Sequence, residues 1–221
     1  MRKFLVSAAT IAAIATVAVA SPAWAEAGDM LIKVRGSYGL RSGTDAVTVK
    51  VNTTNVTAKA NDAFGAEAVI DFFLTDQLMA ELSFGGAPYD IEDSAGRIMV
   101  SSGIITPTAT LLYYPTPSGR VRPYIGAGVS YVNFYSEEAG EIITNQKRLP
   151  PVDYAVGLKN NIAPVGQIGV DVSLNDKFYV NVDAKYLWAK SKLSLTEGTN
   201  TQTVDQDMKS FIIGAGVGFK F

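Results

Sequence analysis

The last eleven residues of the chain, FIIGAGVGFKF from Phe211 to Phe221, decide the fold. One set of alternate positions is apolar and mostly large: Phe211, Ile213, Ala215, Val217, Phe219 and Phe221. The positions between them are Ile212, Gly214, Gly216, Gly218 and Lys220. Because successive side chains of a strand point to opposite faces, the segment predicts a strand with one apolar and one nearly bare face. A bare face suits a narrow interior, whereas a soluble sheet would carry charged side chains there.

Eight segments of the chain alternate in this way and are bounded by turn residues: about 30–41, 62–74, 78–87, 104–114, 122–133, 164–174, 178–190 and 209–221. The second, fourth and sixth connections are short, whereas the first, third, fifth and seventh are long and polar. An outer-membrane barrel has this alternation, since its short turns lie on the periplasmic side and its long loops face outward. We therefore predict an all-β fold, an eight-stranded antiparallel up-and-down transmembrane β-barrel. A secreted soluble sandwich is the alternative.

The predicted inward faces of these strands carry charges of both signs. The expected lumen charge network consists of Lys33, Arg35, Glu67, Asp71, Glu81, Asp171, Asp183 and Lys185, to which the last strand adds Lys220. An eight-stranded barrel is just wide enough inside for side chains to fill it, so opposite charges can pair there and plug the lumen. A solvated surface is the other source of such charges. Pro107 cannot donate a ladder hydrogen bond, which predicts a local break in pairing and one place for a lateral opening.

The first 25 residues predict a secretory signal peptide, with a basic start, an apolar stretch and the Ala23-Trp24-Ala25 cleavage triplet. A membrane anchor is the alternative, but no stop-transfer flank follows. Residues 26–221 are then a single barrel domain in the outer membrane of a Gram-negative bacterium. The aromatic terminus Phe221 is the expected assembly signal, because the insertion machinery recognises such final strands. The predicted partners are outer-membrane lipid and the barrel-assembly machinery.

Composition narrows the chemistry that is open to this chain. It contains no histidine and no cysteine, which excludes the usual metal clusters and His-dependent triads, so we expect no metal, no cofactor and no enzyme activity. A net charge of −2 argues against nucleic acid as a partner. Carboxylate pairs such as Glu67 with Asp71 could do acid–base work, but a lumenal ion-pair network is the favoured interpretation. The Gly-Ala-Gly triplets lie within strands, so they predict small lumenal side chains rather than a phosphate loop.

The connection after the fifth strand is the longest and mixes charged with apolar residues. We expect a short helix near 151–158 in it. Its apolar residues either pack on one another or contact a ligand. The candidates for a ligand site at the outer mouth are Leu40, Tyr89, Ile91, Leu149 and Leu187.

Several stretches, in the same order along the whole mature chain, resemble the OmpW family of small outer-membrane proteins. They are GDMLIKVRGS (28–37), FFLTDQLMAELSFGGAPYDI (72–91), TPTATLLYYP (106–115), RPYIGAGVSYVNFY (122–135), GVDVSLNDKFYVNVDAKYLW (169–188) and IGAGVGFKF (213–221). The resemblance implies an eight-stranded barrel that takes small hydrophobic molecules across the outer membrane through a narrow channel and releases them sideways into the bilayer. The alternative function is a structural or interaction barrel with a closed lumen, whose outer loops bind a partner.

The cleavage site can be tested directly. We expect the mature chain to begin at Glu26, because cleavage follows the Ala23-Trp24-Ala25 triplet. Mass spectrometry of the intact protein from isolated outer membranes measures this. A mass that includes the first 25 residues would contradict the prediction.

Overall fold

A computed structural model describes residues 26–41, 46–51, 54–144 and 154–221. The strands in it are β1 (Met30–Arg41), β2 (Val47–Val51), β3 (Thr54–Ala60), β4 (Ala63–Phe73), β5 (Leu78–Asp93), β6 (Ile98–Tyr113), β7 (Val121–Ala139), β8 (Tyr154–Leu158), β9 (Asn161–Ser173), β10 (Phe178–Glu197) and β11 (Asn200–Lys220). One helical turn, α1 (Glu141–Thr144), follows β7. Within the described residues, no helix has the length and apolar character that a membrane crossing needs.

Eight of the strands close into a ring in which every neighbouring pair is antiparallel. The order around the ring is β1, β4, β5, β6, β7, β9, β10 and β11. The ring closes where β1 pairs with β11, from Leu31 opposite Lys220 to Arg41 opposite Ser210. Each of the eight predicted segments coincides with one of these strands, which confirms the predicted eight-stranded up-and-down barrel.

The short turns and the C-terminus lie together at one end of the barrel. Lys220 donates a backbone hydrogen bond to Lys177 in the turn before β10 (2.8 Å), and Gly28 donates one to Phe73 at the end of β4 (2.8 Å). At the closing seam, Phe221 donates one to Met30 (3.0 Å). This is the periplasmic end of such barrels, and the opposite end, where the strands extend furthest, is the outer end.

The connections at the outer end contain more strand than the sequence pattern predicts. β5 and β6 continue to the turn at 94–97, and β10 and β11 continue to the turn at 198–199. The β5–β6 turn is held by Asp93, whose carboxylate accepts backbone hydrogen bonds from Ala95 and Arg97, both at 2.9 Å. The bond from the Arg97 backbone holds the pKa of Asp93 below its ordinary value. The strands extend because each leaves unpaired backbone groups that the next strand satisfies.

The helix expected near 151–158 is wrong for the part of that range that the structure describes. Tyr154–Leu158 is the strand β8, which pairs with β10 between Leu193 and Glu197. The outer part of β10 offers a free edge, and an extended segment satisfies it where a helix cannot. The first connection likewise contains a hairpin, β2 and β3, and β3 pairs with the outer end of β5.

The outer surface of the barrel carries the apolar face that the final strand predicts. Val217 and Phe221 are 60% and 67% exposed, and Trp188 on β10 is 47% exposed. Gly214, Gly216 and Gly218, which alternate with the apolar residues of β11, face inward against atoms of neighbouring residues. A β-carbon at Gly216 would collide with the Val34 carbonyl and the Arg35 side chain, so the bare face is needed to admit large lumenal side chains.

The terminal residue gives a second prediction. Deleting Phe221 removes its backbone hydrogen bond to Met30 at the closing seam and its ring contact with Phe219, whose centroid is 5.0 Å away. We expect the fraction of heat-modifiable, membrane-inserted protein to fall severalfold, as judged by gel mobility of unboiled samples. The control is Asn200→Ala, an exposed position beside the outer β10–β11 turn, which should assemble normally. Normal assembly of the truncated chain would contradict the prediction.

Candidate functional site

The interior of the barrel is filled in layers that can be followed along β10. Its inward positions begin with Tyr179 at the periplasmic end, continue with Asn181, Asp183 and Lys185, and become apolar at Leu187. The middle layer is charged, and we call it the plug: Lys33, Arg35, Glu67, Asp71, Glu81, Arg122, Asp171, Asp183 and Lys185, all buried. All eight charged residues predicted for the lumen therefore lie together. Lys220 lies at the periplasmic rim instead, paired with Asp29 at 2.6 Å.

Arg35 is the centre of the plug. Its guanidinium contacts Glu67 at 2.8 Å, Glu81 at 3.0 Å and Asp183 at 2.7 Å. These three carboxylates come from β4, β5 and β10, so one cation on β1 ties together four strands of the ring. Gln167 on β9 donates to Glu81 at 3.0 Å and to Asp183 at 2.9 Å, which adds a fifth strand.

Two lysines complete this side of the plug. Lys33 lies 2.7 Å from Asp71 and 2.9 Å from Glu81. Lys185 lies 2.8 Å from Glu67. Both lysines are buried, so their charges are compensated by carboxylates rather than by bulk water.

Arg122 is a plug residue that the sequence analysis did not assign. It lies 3.7 Å from Asp171 and stacks over the ring of Tyr114 at 5.1 Å. Asp171 also accepts hydrogen bonds from Tyr114 at 2.8 Å and from Asn181 at 2.7 Å. The alternation pattern contained this information, because Arg122 is in phase with the residues of β7 that face inward. Arg122 was not assigned because it stands at the first position of the predicted segment.

An apolar cluster fills the barrel on the outer side of the plug. We call it the outer apolar cluster, and its buried members are Val47, Val49, Ala58, Tyr89, Ile91, Met99, Val100, Ile104, Val132, Phe134, Ile142, Ile143, Leu158, Ala163, Val165, Leu187, Ala189, Leu193, Leu195 and Met208. Tyr89, Ile91 and Leu187, three of the five predicted ligand-site residues, belong to it. The fourth, Leu40, is 38% exposed and outside the cluster. Leu149 lies outside the described residues.

Tyr89 brings a polar group into this cluster. Its hydroxyl accepts a hydrogen bond from Gln206 at 3.1 Å, and its ring packs edge-on against Phe134 at 5.1 Å. The guanidinium of Arg41, at the outer end of β1, lies over the Tyr89 ring, 4.3 Å from its centroid. A cation thus stands at the outer boundary of an apolar space.

The ladder between β6 and β7 is interrupted at Pro107. Backbone pairs run up to Thr108 opposite Ser130 and resume at Ile105 opposite Asn133, and no pair within the described residues involves Thr106 or Pro107 on this side. The Thr108 and Ser130 hydroxyls bond to each other at 2.8 Å beside the break. The structure therefore places a local loss of pairing where Pro107 predicts one. Val132 and Ile104 of the outer apolar cluster lie on the two strands that flank it.

The arrangement of the plug favours a structural role in filling the lumen over a catalytic one. The two carboxylates considered for acid–base work are engaged with cations, Asp71 with Lys33 and Glu67 with Arg35. Among the described residues, no group of three or more His, Cys, Asp or Glu side chains could hold a metal ion. A filled, charged layer blocks the direct path to the periplasm, whereas the outer apolar cluster offers apolar surroundings.

Comparison with known proteins agrees with this geometry. The sequence model of the OmpW family matches residues 26–221. The outer membrane protein W of Vibrio cholerae is 24% identical over 200 residues, covering 84% of this chain and 89% of that protein. The dibenzothiophene metabolism operon protein PahQ of Pseudomonas aeruginosa is 27% identical over 207 residues, covering 89% of this chain and 92% of that protein. The crystal structure of OprG from Pseudomonas aeruginosa has the same fold, with a TM-score of 0.73 at 22% identity, covering 89% of this chain and 97% of that chain.

The plug makes a third prediction. Arg35→Met leaves Glu67, Glu81 and Asp183 without their shared cation, so we expect the free energy of unfolding to fall by about 3–5 kcal/mol. Urea unfolding in detergent can be followed by the fluorescence of Trp188, since the only other tryptophan, Trp24, lies in the predicted signal peptide.

The matched control for this experiment is Arg97→Met. Arg97 pairs with Asp93 at 2.6 Å but is exposed at the outer turn, so its loss should cost less than about 1 kcal/mol. Equal losses for the two variants would show that the plug does not stabilise the barrel.

Proposed function

The chain belongs to the OmpW family of outer-membrane β-barrel proteins, and on this basis we propose that it forms a narrow channel for the passive uptake of small hydrophobic molecules, with lateral release into the bilayer. Its named relatives are outer-membrane proteins of Gram-negative bacteria, which is also where this barrel resides. Residues 1–25 are proposed to be the signal peptide and residues 26–221 the barrel domain. The proposal requires no catalytic group, metal or cofactor.

The observation that carries this proposal is the position of the outer apolar cluster directly beyond the plug. Burying apolar surface is favourable by roughly 25 cal/mol per Å², so a small hydrophobic solute that inserts among these side chains gains free energy by leaving water. The plug offers such a solute nothing comparable, because its groups are charged and paired with one another. Entry from the outside is therefore favourable and passage straight through is not.

Lateral release follows from the difference between the apolar outer cluster and the charged plug. A solute held beyond the plug reaches an apolar phase most directly through the wall, and the wall has a weakened ladder at Pro107. Ile104 and Val132 provide apolar surface on both strands beside that point. The proposed route runs from the outer apolar cluster, between β6 and β7, into the lipid.

The name of one relative supports the class of solute. PahQ is named for an operon of dibenzothiophene metabolism, and dibenzothiophene is an apolar aromatic compound. At 27% identity the substrate itself does not transfer, but the chemical class is consistent with the outer apolar cluster.

A second candidate function is a structural or interaction barrel with a closed lumen whose outer surface binds a partner. The observation that favours it is that the interior is filled, with Ile91 and Met99 fully buried in the outer apolar cluster. The two functions differ in one measurable respect, since only a conduit speeds the entry of an apolar solute.

The fourth prediction tests uptake. In cells that lack other uptake barrels, expression of this chain should raise the initial rate of entry of labelled naphthalene above that of empty-vector cells. Ile91→Lys and Leu187→Lys place a charge in the outer apolar cluster and should remove most of this gain, and Leu149→Lys is expected to do the same. Rates are normalised to the heat-modifiable, assembled fraction, so that a variant that fails to fold is not counted.

Two controls accompany this measurement. Thr201→Lys adds the same charge at an exposed position of the β10–β11 hairpin and should leave uptake unchanged. Neutralising Asp183 together with Lys185 should lower stability more than it alters uptake, because both lie in the plug. If the assembled chain does not raise naphthalene entry, or if both cluster variants retain the full rate, the conduit is wrong and the closed barrel is favoured.

A further inference from the structure

The barrel wall is irregular where β8 passes into β9 alongside β10. β10 pairs with β9 up to Leu187 and with β8 from Leu193 onward. Between these points, residues 188–192 of β10 form no ladder pair on this side with any residue that the structure describes. The Lys159 amide donates to the Lys192 carbonyl at 3.0 Å, which holds the two segments together across the gap. Six residues, 159–164, thus stand opposite five residues of β10, which is the one-residue excess of a β-bulge.

A cavity of about 590 Å³ lies in the wall at this level. Its lining includes three lysines, Lys159, Lys190 and Lys192, and two aspartates of β11, Asp205 and Asp207. All five of these residues are exposed. The cavity borders the outer apolar cluster, since Val47 of that cluster and the buried Gln206 also line it. Its charged side chains, in contrast, are on the outside of the barrel.

The charges around this cavity do not cancel. With Lys209, which lies opposite Trp188 on β11, there are four lysines and two aspartates. Lys192 pairs with Asp205 at 3.4 Å, and Lys209 pairs with Asp207 at 3.9 Å. The other two lysines form no ion pair within the described part of the chain, so the site has an excess of two positive charges. We call these four lysines the lysine cluster.

The height of the lysine cluster matches that of lipid headgroups. Tyr186 and Trp188 on β10 pack against each other at 4.5 Å on the outer surface, as aromatic residues do at the membrane interface. Lys190 is two residues further out, or about 7 Å along the strand. Its ammonium group thus reaches the layer just beyond the apolar band.

The charges differ on the side of β5, which lies across the ring from β10. There Lys59 of β3 stands opposite Glu92 in the ladder, and Arg97 pairs with Asp93 at 2.6 Å. Cations and carboxylates on that side thus compensate one another, whereas two lysines beside β10 form no ion pair within the described residues.

We propose that the lysine cluster is a binding site for the phosphate groups of outer-leaflet glycolipid. An ammonium group binds phosphate as a compact charge, and two of the four lysines are available without breaking an ion pair. The gap in the ladder provides a recess beside them, and the aromatic residues below set the depth of the lipid. The site belongs to the outside of the barrel, so it does not depend on the uptake function.

The fifth prediction tests this site with the purified, folded chain in detergent. The probe is lipid A that carries both of its phosphates, and native mass spectrometry measures the lipid retained per barrel. Lys159→Gln combined with Lys190→Gln should lower the apparent affinity by about tenfold, because each surface lysine contributes a several-fold factor. The matched control is Lys50→Gln with Lys59→Gln, which removes two exposed lysines of the β2–β3 hairpin and should leave retention unchanged.

Two further arms identify the source of the phosphate. Removing the phosphates from the lipid should weaken binding as much as removing the lysines does. Dephosphorylated lipid A should therefore bind the unchanged protein about as weakly as bisphosphorylated lipid A binds the double variant. Inorganic phosphate at millimolar concentration should not displace the lipid, because the acyl chains contribute against the apolar wall. Any of three results would overturn the proposal. The two double variants could lose lipid retention equally, dephosphorylated lipid A could bind as tightly as the bisphosphorylated form, or inorganic phosphate could displace the lipid. Gel mobility of unboiled samples verifies that every variant is folded.

Discussion

Closure of the backbone ladder between β1 and β11 is the constraint on which the rest of this structure depends. The hydrocarbon core of a bilayer contains no water, so each unpaired peptide group there costs several kcal/mol. A sheet with two free edges cannot meet this requirement, and only a closed ring can. The eleven register pairs from Leu31–Lys220 to Arg41–Ser210 remove both edges at once.

Closure with eight strands also determines what the interior can contain. Such a ring is only as wide as its own inward side chains, so whatever points inward must fit and must be paired. The glycines of β11 admit the stem of Arg35, and Arg35 in turn neutralises carboxylates from three other strands. The charged plug is thus a consequence of a narrow ring with polar inward positions. It also separates the apolar outer half of the lumen from the periplasm.

Beyond the bilayer the constraint changes, and the structure changes with it. Water can satisfy backbone groups there, so pairing is no longer obligatory at every position. The outer parts of β10 and β11 nevertheless remain paired up to Glu197 and Asn200, whereas the β9 side of β10 opens near Lys190. This opening lies just beyond the aromatic pair of Tyr186 and Trp188 on the outer surface.

The alternation in the sequence was sufficient to predict the fold, the eight strands of the ring and the eight charged residues that meet in the lumen. It was sufficient because period-two patterning and membrane burial are local properties of each segment. The β2–β3 hairpin and β8 were missed, since they pair only with the outer ends of β5 and β10, which leave free edges there. Arg122 was missed because it begins its segment.

The partners of each residue were decided by tertiary structure alone. Alternation places Arg35 and Asp183 on inward faces, but only the order and stagger of strands 148 positions apart in the chain bring them to 2.7 Å. The same register puts Tyr89 and Leu187 into one cluster, leaves Leu40 on the outside and sets Lys159 beside Lys192. The sequence by itself determined which side chains face inward, because that depends on one strand at a time. Ring closure determined which of them meet, because that depends on all eight strands together.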